Sequence, residues 1–182
     1  MSAWSLPTTI RVDGRELKIR SDFRAVLDAI SALNDPELFM QEKLAACLAI
    51  MVPEYATVQD TNGAIREIFK FINLGQEERQ AANSPKLVDW DRDVQLIAPA
   101  VDKALGFSCR RAPYLHWWEF IGAYNNIGRG PFAEVVSIRS KRAKGKKLEP
   151  WEQDYVRDNP ELFSQHKELT AEEEAFFQAL GV

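Results

Sequence analysis

Residues 112–147 read APYLHWWEFIGAYNNIGRGPFAEVVSIRSKRAKGKK and carry the strongest helix signals in the chain. In the first half of this stretch, apolar residues recur at helical spacing on more than one face: Leu115, Trp117, Trp118, Ile121 and Tyr124. The pattern predicts a helix over 114–127. Because a helix that is apolar nearly all round is normally buried, we expect this one in the middle of a core.

A second predicted helix follows the break at Gly128–Pro131, with Pro131 at its first position, where a backbone N–H is not needed. Phe132, Val135 and Val136 are predicted to face inward. The helix ends in a dense basic run: Arg139, Lys141, Arg142, Lys144, Lys146 and Lys147. The favoured interpretation is a solvated helix end whose cations complement the helix dipole. The alternative is a patch that binds an anion or a protein partner.

Residues 8–20 have the pattern of a β-hairpin. Asp13-Gly14 lies between alternating apolar and polar residues and favours a two-residue turn with positive φ at both positions. In that register Ile10 lies opposite Leu17 on an apolar face. Since an isolated hairpin is only marginally stable, we expect this face to dock on the helices or on a second copy of the protein.

Helical patterns fill most of the remaining chain, and each has a start or stop signal. The predicted signals are a cap at Ser21 or Asp22, a start at Asp35-Pro36, a stop at Pro53, a capping box at Thr57-x-x-Asp60, and stops at Gly75 and Gly106. The helical pattern from Trp90 to Leu105 contains Pro99, so this helix either kinks there or begins later. Pro150 is expected to open a short helix, and Thr170-x-x-Glu173 to cap a last one.

These elements predict a mainly α, multi-helix, bundle-like architecture with a small N-terminal β-hairpin. We expect one α-helical domain over 1–182, since a chain of this length can bury a sizeable core without a covalent cross-link. Within it the hairpin occupies 8–20 and short helices occupy 150–182. The polar stretch 76–89 contains Ser-Pro and is predicted to be a mobile connection or surface loop.

Composition narrows the class of protein. The net charge of −4 argues against general nucleic-acid binding by the whole surface. No apolar run reaches the roughly 18 residues of a membrane span, and the first residues lack the features of a secretory signal. The two cysteines belong to no motif, and Cys47 reads as a small core residue. A reducing, cytoplasmic setting is therefore expected.

Catalytic and metal-binding motifs are missing from the sequence. His116 reads as a buried, hydrogen-bonded residue, and His166 lies in a polar connection with no partner motif. Asp89, Asp91 and Asp93 alternate around a tryptophan, but acidic residues at a helix start explain them better than a metal site does. No zinc, phosphate-loop or nucleophile-elbow motif occurs. We therefore predict no catalytic, cofactor-binding or metal-binding residue, and a protein that is not an enzyme.

The neighbouring Trp117 and Trp118 have two interpretations. Core packing is favoured, and contact with a protein partner is the alternative. The candidate partner-binding residues are therefore Arg139, Lys141, Arg142, Lys144, Lys146, Lys147, Trp117 and Trp118.

Four segments together resemble the bacteriophage Gp15 protein family. They are SDFR at 21–24 after the hairpin, DWDRDVQLI at 89–97, YLHWWEFIGAYNNIG at 114–128 and VVSIRSKRAKGKK at 135–147. Their order and spacing also match, from the hairpin to the basic run. The chain departs from the family pattern at Pro99 and after Leu169.

The resemblance implies a protein encoded by siphophages, or by prophages, of Gram-positive bacteria. It further implies a tail assembly chaperone, which binds the tape-measure protein and tail-tube subunits in the host cytoplasm and is absent from the mature virion. No catalytic residue carries over from the family. A homo-oligomer is compatible with this role, whereas a membrane or a nucleic acid is not an expected partner.

Two other functions remain as alternatives. A head–tail connector or adaptor is also a small helical phage protein, and it forms rings of defined order. A nucleic-acid-binding regulator would use 139–147, but the acidic composition of 148–182 argues against it.

Overall fold

The computed structural model describes residues 4–76, 85 and 87–163. In this part of the chain it contains a β-hairpin, seven α-helices and two 3₁₀ helices, which confirms the mainly α fold with an N-terminal hairpin. The strands are β1 (Thr9–Val12) and β2 (Arg15–Lys18), and the 3₁₀ helices are Tyr55–Thr57 and Pro160–Leu162. The α-helices are α1 (Phe23–Asn34), α2 (Met40–Met51), α3 (Thr61–Ile72), α4 (Val94–Leu105), α5 (Trp117–Asn125), α6 (Pro131–Ala143) and α7 (Pro150–Asp158).

The described residues form two compact units. Unit 1 comprises 4–76 and 114–119, and unit 2 comprises 85, 87–113 and 120–163. The expectation of a single domain over 1–182 stays a prediction. No helix in the described ranges has the length and apolar character needed to cross a membrane.

The hairpin of unit 1 has the predicted turn and register. Asp13 and Gly14 have φ values of 48° and 76°, so both take the left-handed conformation that a two-residue hairpin turn requires. Ile10 pairs with Leu17, and the pairing extends to the N–H of Ile19, which donates to the carbonyl of Thr8 at 3.0 Å. The apolar side of β1 faces the core of unit 1, as expected for a hairpin that is not stable alone.

Helix α1 begins where a long-range backbone pairing ends. The side chain of Asp22 accepts a hydrogen bond from the Arg24 N–H and caps α1, as predicted. The Phe23 N–H donates to the carbonyl of Leu115, and the Trp117 N–H donates to the carbonyl of Ser21. This extended pairing holds the residues before Trp117 out of a helix. The predicted start of α5 at residue 114 is therefore wrong by three residues.

Two further helix starts differ from the prediction. Helix α2 begins at Met40 instead of after Asp35-Pro36, because the Glu42 carboxylate accepts the Phe39 N–H at 2.9 Å and forms the cap there. Helix α3 is capped by Asp60, which accepts the Gly63 N–H at 2.8 Å. Thr57 instead lies in a 3₁₀ turn, so the predicted capping box is wrong.

Unit 2 contains α4, the part of α5 from residue 120 onward, α6, α7 and the last 3₁₀ helix. Helix α4 begins at Val94, later than its apolar pattern indicates, and contains Pro99 in its interior. Pro131 opens α6 as predicted, and the buried residues of α6 are Phe132, Val135 and Ile138. Val136 is only half-buried, so its predicted inward orientation is wrong; helix geometry turns it toward the open side of α6.

The end of the described chain packs on α6. Phe163, next to the last 3₁₀ helix, is buried against Val135 and Ile138, and the ring of Tyr155 meets its edge. Most of the predicted loop 76–89, His166 and the predicted last helix after Thr170 lie outside the described residues.

A candidate protein-binding groove on helix α6

Both tryptophans of the central motif cap the end of a helix in unit 1. The indole N–H of Trp117 donates to the carbonyl of Ile72 at 2.8 Å, and that of Trp118 donates to the carbonyl of Phe71 at 2.9 Å. These carbonyls belong to the last turn of α3, beyond the reach of the regular i+4 helix hydrogen bonds, and that of Phe71 also accepts the Leu74 N–H at 3.2 Å. Trp117 is 2% exposed and Trp118 is half-buried, so the tryptophan pair serves the packing of this unit.

His116 fixes the start of α5. It is buried, as predicted, and makes two hydrogen bonds. Its Nδ1 accepts the Trp118 N–H at 3.0 Å, and its Nε2 lies 2.9 Å from the carbonyl of Pro7. Because Nδ1 is an acceptor, Nε2 carries the proton and donates to Pro7. His116 therefore acts as a helix cap.

Arg139, the first residue of the basic run, is an internal residue of unit 2. Its guanidinium contacts both carboxylate oxygens of Asp93, at 2.5 and 2.8 Å, and donates to the carbonyls of Leu87 and Leu162. The Arg139 side chain is 9% exposed and that of Asp93 is fully buried. Burial acts to raise the pKa of Asp93, but hydrogen bonds from Arg139 and the Asp89 N–H, with the charges of Arg139 and Arg92, hold it below its usual value. A bidentate pair of this kind positions segments that are distant in sequence.

Lys141 and Arg142 also make contacts within unit 2. The Lys141 ammonium lies 2.7 Å from the carboxylate of Glu152, whose other oxygen accepts the Glu149 N–H at the start of α7. The hydrogen bond from Lys141, followed by that from the Glu149 N–H, lowers the pKa of Glu152. Arg142 is exposed and donates to the carbonyl of Phe163 at 3.1 Å. These contacts attach α7 and the following 3₁₀ helix to α6.

The remaining three lysines of the run, Lys144, Lys146 and Lys147, are exposed. Their ammonium groups have no ion pair or hydrogen-bond partner among residues 4–76, 85 and 87–163. Positive charge is thus concentrated at the C-terminal end of α6, beside the negative end of its dipole.

An open groove of about 380 Å³ runs beside α6. Its lining residues are Leu87, Ala133, Val136, Ser137, Ser140, Lys141, Lys144 and Lys146. Small and aliphatic residues line the part beside the first two turns of α6, and lysines line the other end. The hydrogen bond from Arg139 to the carbonyl of Leu87 holds this residue against α6 and so fixes one wall of the groove.

The structure brings together only part of the predicted candidate set. Lys141, Lys144 and Lys146 line the groove, whereas Arg139, Arg142 and Lys147 do not, and the two tryptophans belong to unit 1. The remaining lining residues were not among the predicted candidates: Leu87, Ala133, Val136, Ser137 and Ser140. The four on α6 recur three or four positions apart, which is a detectable helical stripe. No sequence pattern marks Leu87, because its position in the groove depends on the long-range hydrogen bond from Arg139.

A second open depression of about 790 Å³ lies in unit 1, beside the hairpin and α1. Its charged residues have mixed signs, and several are engaged internally. Arg24 pairs with Asp22, and Arg20 donates to the carbonyls of Ala49 and Ile50. This depression has no concentrated charge comparable to that of the α6 groove.

The acidic stretch before α4 and the two cysteines make local contacts within their units. The Asp89 carboxylate accepts the N–H groups of Asp91 and Arg92, which gives the acidic stretch a role in the turn before α4. Burial raises the pKa of the Cys47 thiol to about 12. Burial and the Asp102 carboxylate raise that of Cys109 to about 11. Both thiols are therefore protonated at neutral pH.

Comparison with known protein families gives one match over most of the chain. A family model described as "Bacteriophage Gp15 protein" matches residues 4–163, a range that includes the hairpin, the tryptophan pair and the α6 groove. No curated protein and no solved structure matches the chain significantly.

Proposed function

This chain belongs to the bacteriophage Gp15 protein family, and on that premise we propose that it is a tail assembly chaperone. The family suggests a phage structural or morphogenesis protein. The chaperone role is more specific than this family-level function: the protein would bind the tape-measure protein and tail-tube subunits during tail assembly. It would act without catalysis or a cofactor, in the cytoplasm of the bacterial host, and would not remain in the mature virion.

The α6 groove is the observation that carries this proposal. A tail assembly chaperone must hold its clients reversibly, and helix-in-groove binding is a common way to recognise a helical protein. The groove is open, and its lysines at residues 144 and 146 have no carboxylate partner in the described part of unit 2. Exposed charge pairs each contribute less than about 1 kcal/mol, which favours association that can be undone.

Co-expression with the tape-measure protein tests the proposal. The tape-measure protein encoded in the same phage genome is produced alone, with this chain, or with an unrelated small acidic protein as the control. We expect it to be soluble and to co-purify only with this chain, because its apolar helical faces are then covered. A pull-down with the tail-tube protein extends the test to the second partner.

Two results would contradict the proposal. One is a tape-measure protein that stays insoluble, or fails to co-purify, in the presence of the correctly folded chain. The other is a purified chain that forms a ring of fixed order and is retained in assembled virions, which is the behaviour of a head–tail connector.

A further inference from the structure

We propose that the α6 groove binds an acidic amphipathic α-helix of the tape-measure protein, in an orientation antiparallel to α6. This inference rests on the proposed chaperone function and adds the binding surface, the chemistry of the bound segment and its direction.

Charge determines one end of the bound segment. Lys144 and Lys146 line the groove and have no carboxylate partner in the ranges that the structure describes, whereas Lys141 is already paired with Glu152. The groove therefore offers, at the C-terminal end of α6, two ammonium groups that no described carboxylate neutralises. A segment that places carboxylates at this end gains favourable charge pairs, and a basic segment is repelled.

The size of the lining side chains determines which residues the other end of the bound segment carries. Ala133, Ser137 and Ser140 are small, so the backbone of a second helix can approach α6 closely along this face. Val136 adds apolar surface to this face of α6, and Leu87 adds it to the facing wall of the groove. The matching segment has small or medium aliphatic residues three and four positions apart.

The order of these features gives the direction of the bound helix. Its acidic residues must lie at the Lys144 end, and its aliphatic residues must extend toward Ala133. Carboxylates stabilise the first turn of a helix, because that turn carries the positive end of the helix dipole. A helix with an acidic first turn therefore fits when it runs antiparallel to α6, and this arrangement also opposes the two dipoles.

The groove is already formed before binding. Arg139 holds Leu87 against α6 and is itself fixed by Asp93, so one wall of the groove does not have to be ordered when the helix docks. A preformed wall reduces the entropic cost of association.

The test uses the full-length chain and two designed, labelled peptides of about 20 residues, long enough to form a helix. Both carry the same aliphatic stripe. One has glutamates in its first turn, and the other has the same glutamates in its last turn. We expect the first peptide to bind at least about tenfold more tightly in fluorescence anisotropy, since reversal separates its charges from the lysines.

Two pairs of variants locate the binding surface. Lys144→Glu combined with Lys146→Glu is expected to weaken binding of the first peptide about tenfold or more, whereas Lys147→Glu, outside the groove, has little effect. Ser137→Trp fills the groove and is expected to abolish binding. Glu134→Trp, exposed on the same helix but outside the groove, is its control. Circular dichroism verifies that each variant is folded.

The outcomes separate this inference from the chaperone function. Two results overturn the proposal that the groove is the binding site. One is equal affinity for both peptides, and the other is an equal loss of affinity in the groove variants and their controls. If the tape-measure protein still co-purifies with the groove variants, the chaperone function stands and the groove is wrong. Binding of the first peptide without any tape-measure interaction overturns the identity of the partner.

A synthetic peptide of residues 164–182 is a further competitor: if it binds the groove and the designed peptides do not, the occupant is this chain's own C-terminal segment and the proposal is overturned.

Discussion

Arg139 shows how far a count of charges in the sequence can mislead. The basic run was predicted as one solvated helix end or one binding patch, but its first residue is a buried partner of Asp93, 46 positions away in sequence. The spacing of the run gives no sign of this, because the pairing depends on the placement of α4 beside α6. Arg142 is exposed but bonded to the Phe163 carbonyl, whereas Lys144, Lys146 and Lys147 are exposed without a side-chain partner among the described residues, as either interpretation expects.

The pKa of Asp93 leads to a prediction about acid stability. Since the folded-state pKa lies below the usual value of 3.8, ionised Asp93 contributes stability at higher pH that is lost as the pH falls through the folded-state pKa. In urea titrations we expect Asp93→Asn to cost roughly 3 kcal/mol or more at neutral pH, because Arg139 is left buried without its counter-ion. We also expect a shallower loss of stability below pH about 4 than in the wild type.

Asp28→Asn is the matched control, since Asp28 is exposed and lies outside the Arg139 pair. It should keep both the neutral-pH stability and the acid slope of the wild type. An Asp93→Asn variant with an unchanged acid slope would show that the pair is not a source of the pH dependence.

At the scale of elements, local signals were sufficient where the cause is local. The hairpin register, the Asp22 cap, the Pro131 start and the Gly106 stop all follow from residues within a few positions of one another. The start of α5 did not follow, because backbone pairing with residues 21–23 sets it. The predicted start of α2 was wrong for another reason. Two local start signals compete, and the helix begins at the one in which Glu42 accepts the Phe39 N–H, not at Asp35-Pro36.

The two indole caps of α3 give a prediction at this scale. Trp117→Phe keeps an aromatic ring but removes the N–H that satisfies the Ile72 carbonyl. In chemical denaturation we expect a loss of about 1–3 kcal/mol in the free energy of unfolding, since a buried acceptor loses its donor. Trp118→Phe removes one donor to the Phe71 carbonyl and is expected to cost less, because Trp118 is only half-buried and this carbonyl still accepts the Leu74 N–H.

Trp151→Phe is the control for both changes. Trp151 is 54% exposed, so the same substitution there should stay within about 0.5 kcal/mol of the wild type. If Trp117→Phe is as mild as this control, the indole hydrogen bond does not stabilise α3 measurably.

For the whole molecule, a net charge of −4 conceals a local concentration of positive charge at the end of α6. Composition therefore argues against general nucleic-acid binding, but it does not identify a surface for an acidic partner. The family could be recognised from four short segments, because their order along the chain is specific. The groove could not, since one of its walls comes from Leu87, far from α6 in sequence.

The ionic-strength dependence of binding tests this charge distribution. Raising the salt concentration from about 0.1 M to about 1 M shortens the screening length from about 10 Å to about 3 Å. Affinity for the designed peptide with an acidic first turn should fall over this range. In the Lys144→Gln, Lys146→Gln double variant we expect weaker but nearly salt-independent binding. Equal salt slopes for the two proteins would place the relevant charges elsewhere.

The guanidinium of Arg139 joins three separate parts of unit 2, and this affects how mutational data on the basic run must be interpreted. An alanine scan for lost client binding would rank position 139 as a strong hot spot, although its side chain is 9% exposed. The loss of client binding would come from molecules that had unfolded, or in which Leu87 no longer packed against α6. Genuine recognition residues would instead be those whose replacement abolishes capture while the melting temperature stays unchanged.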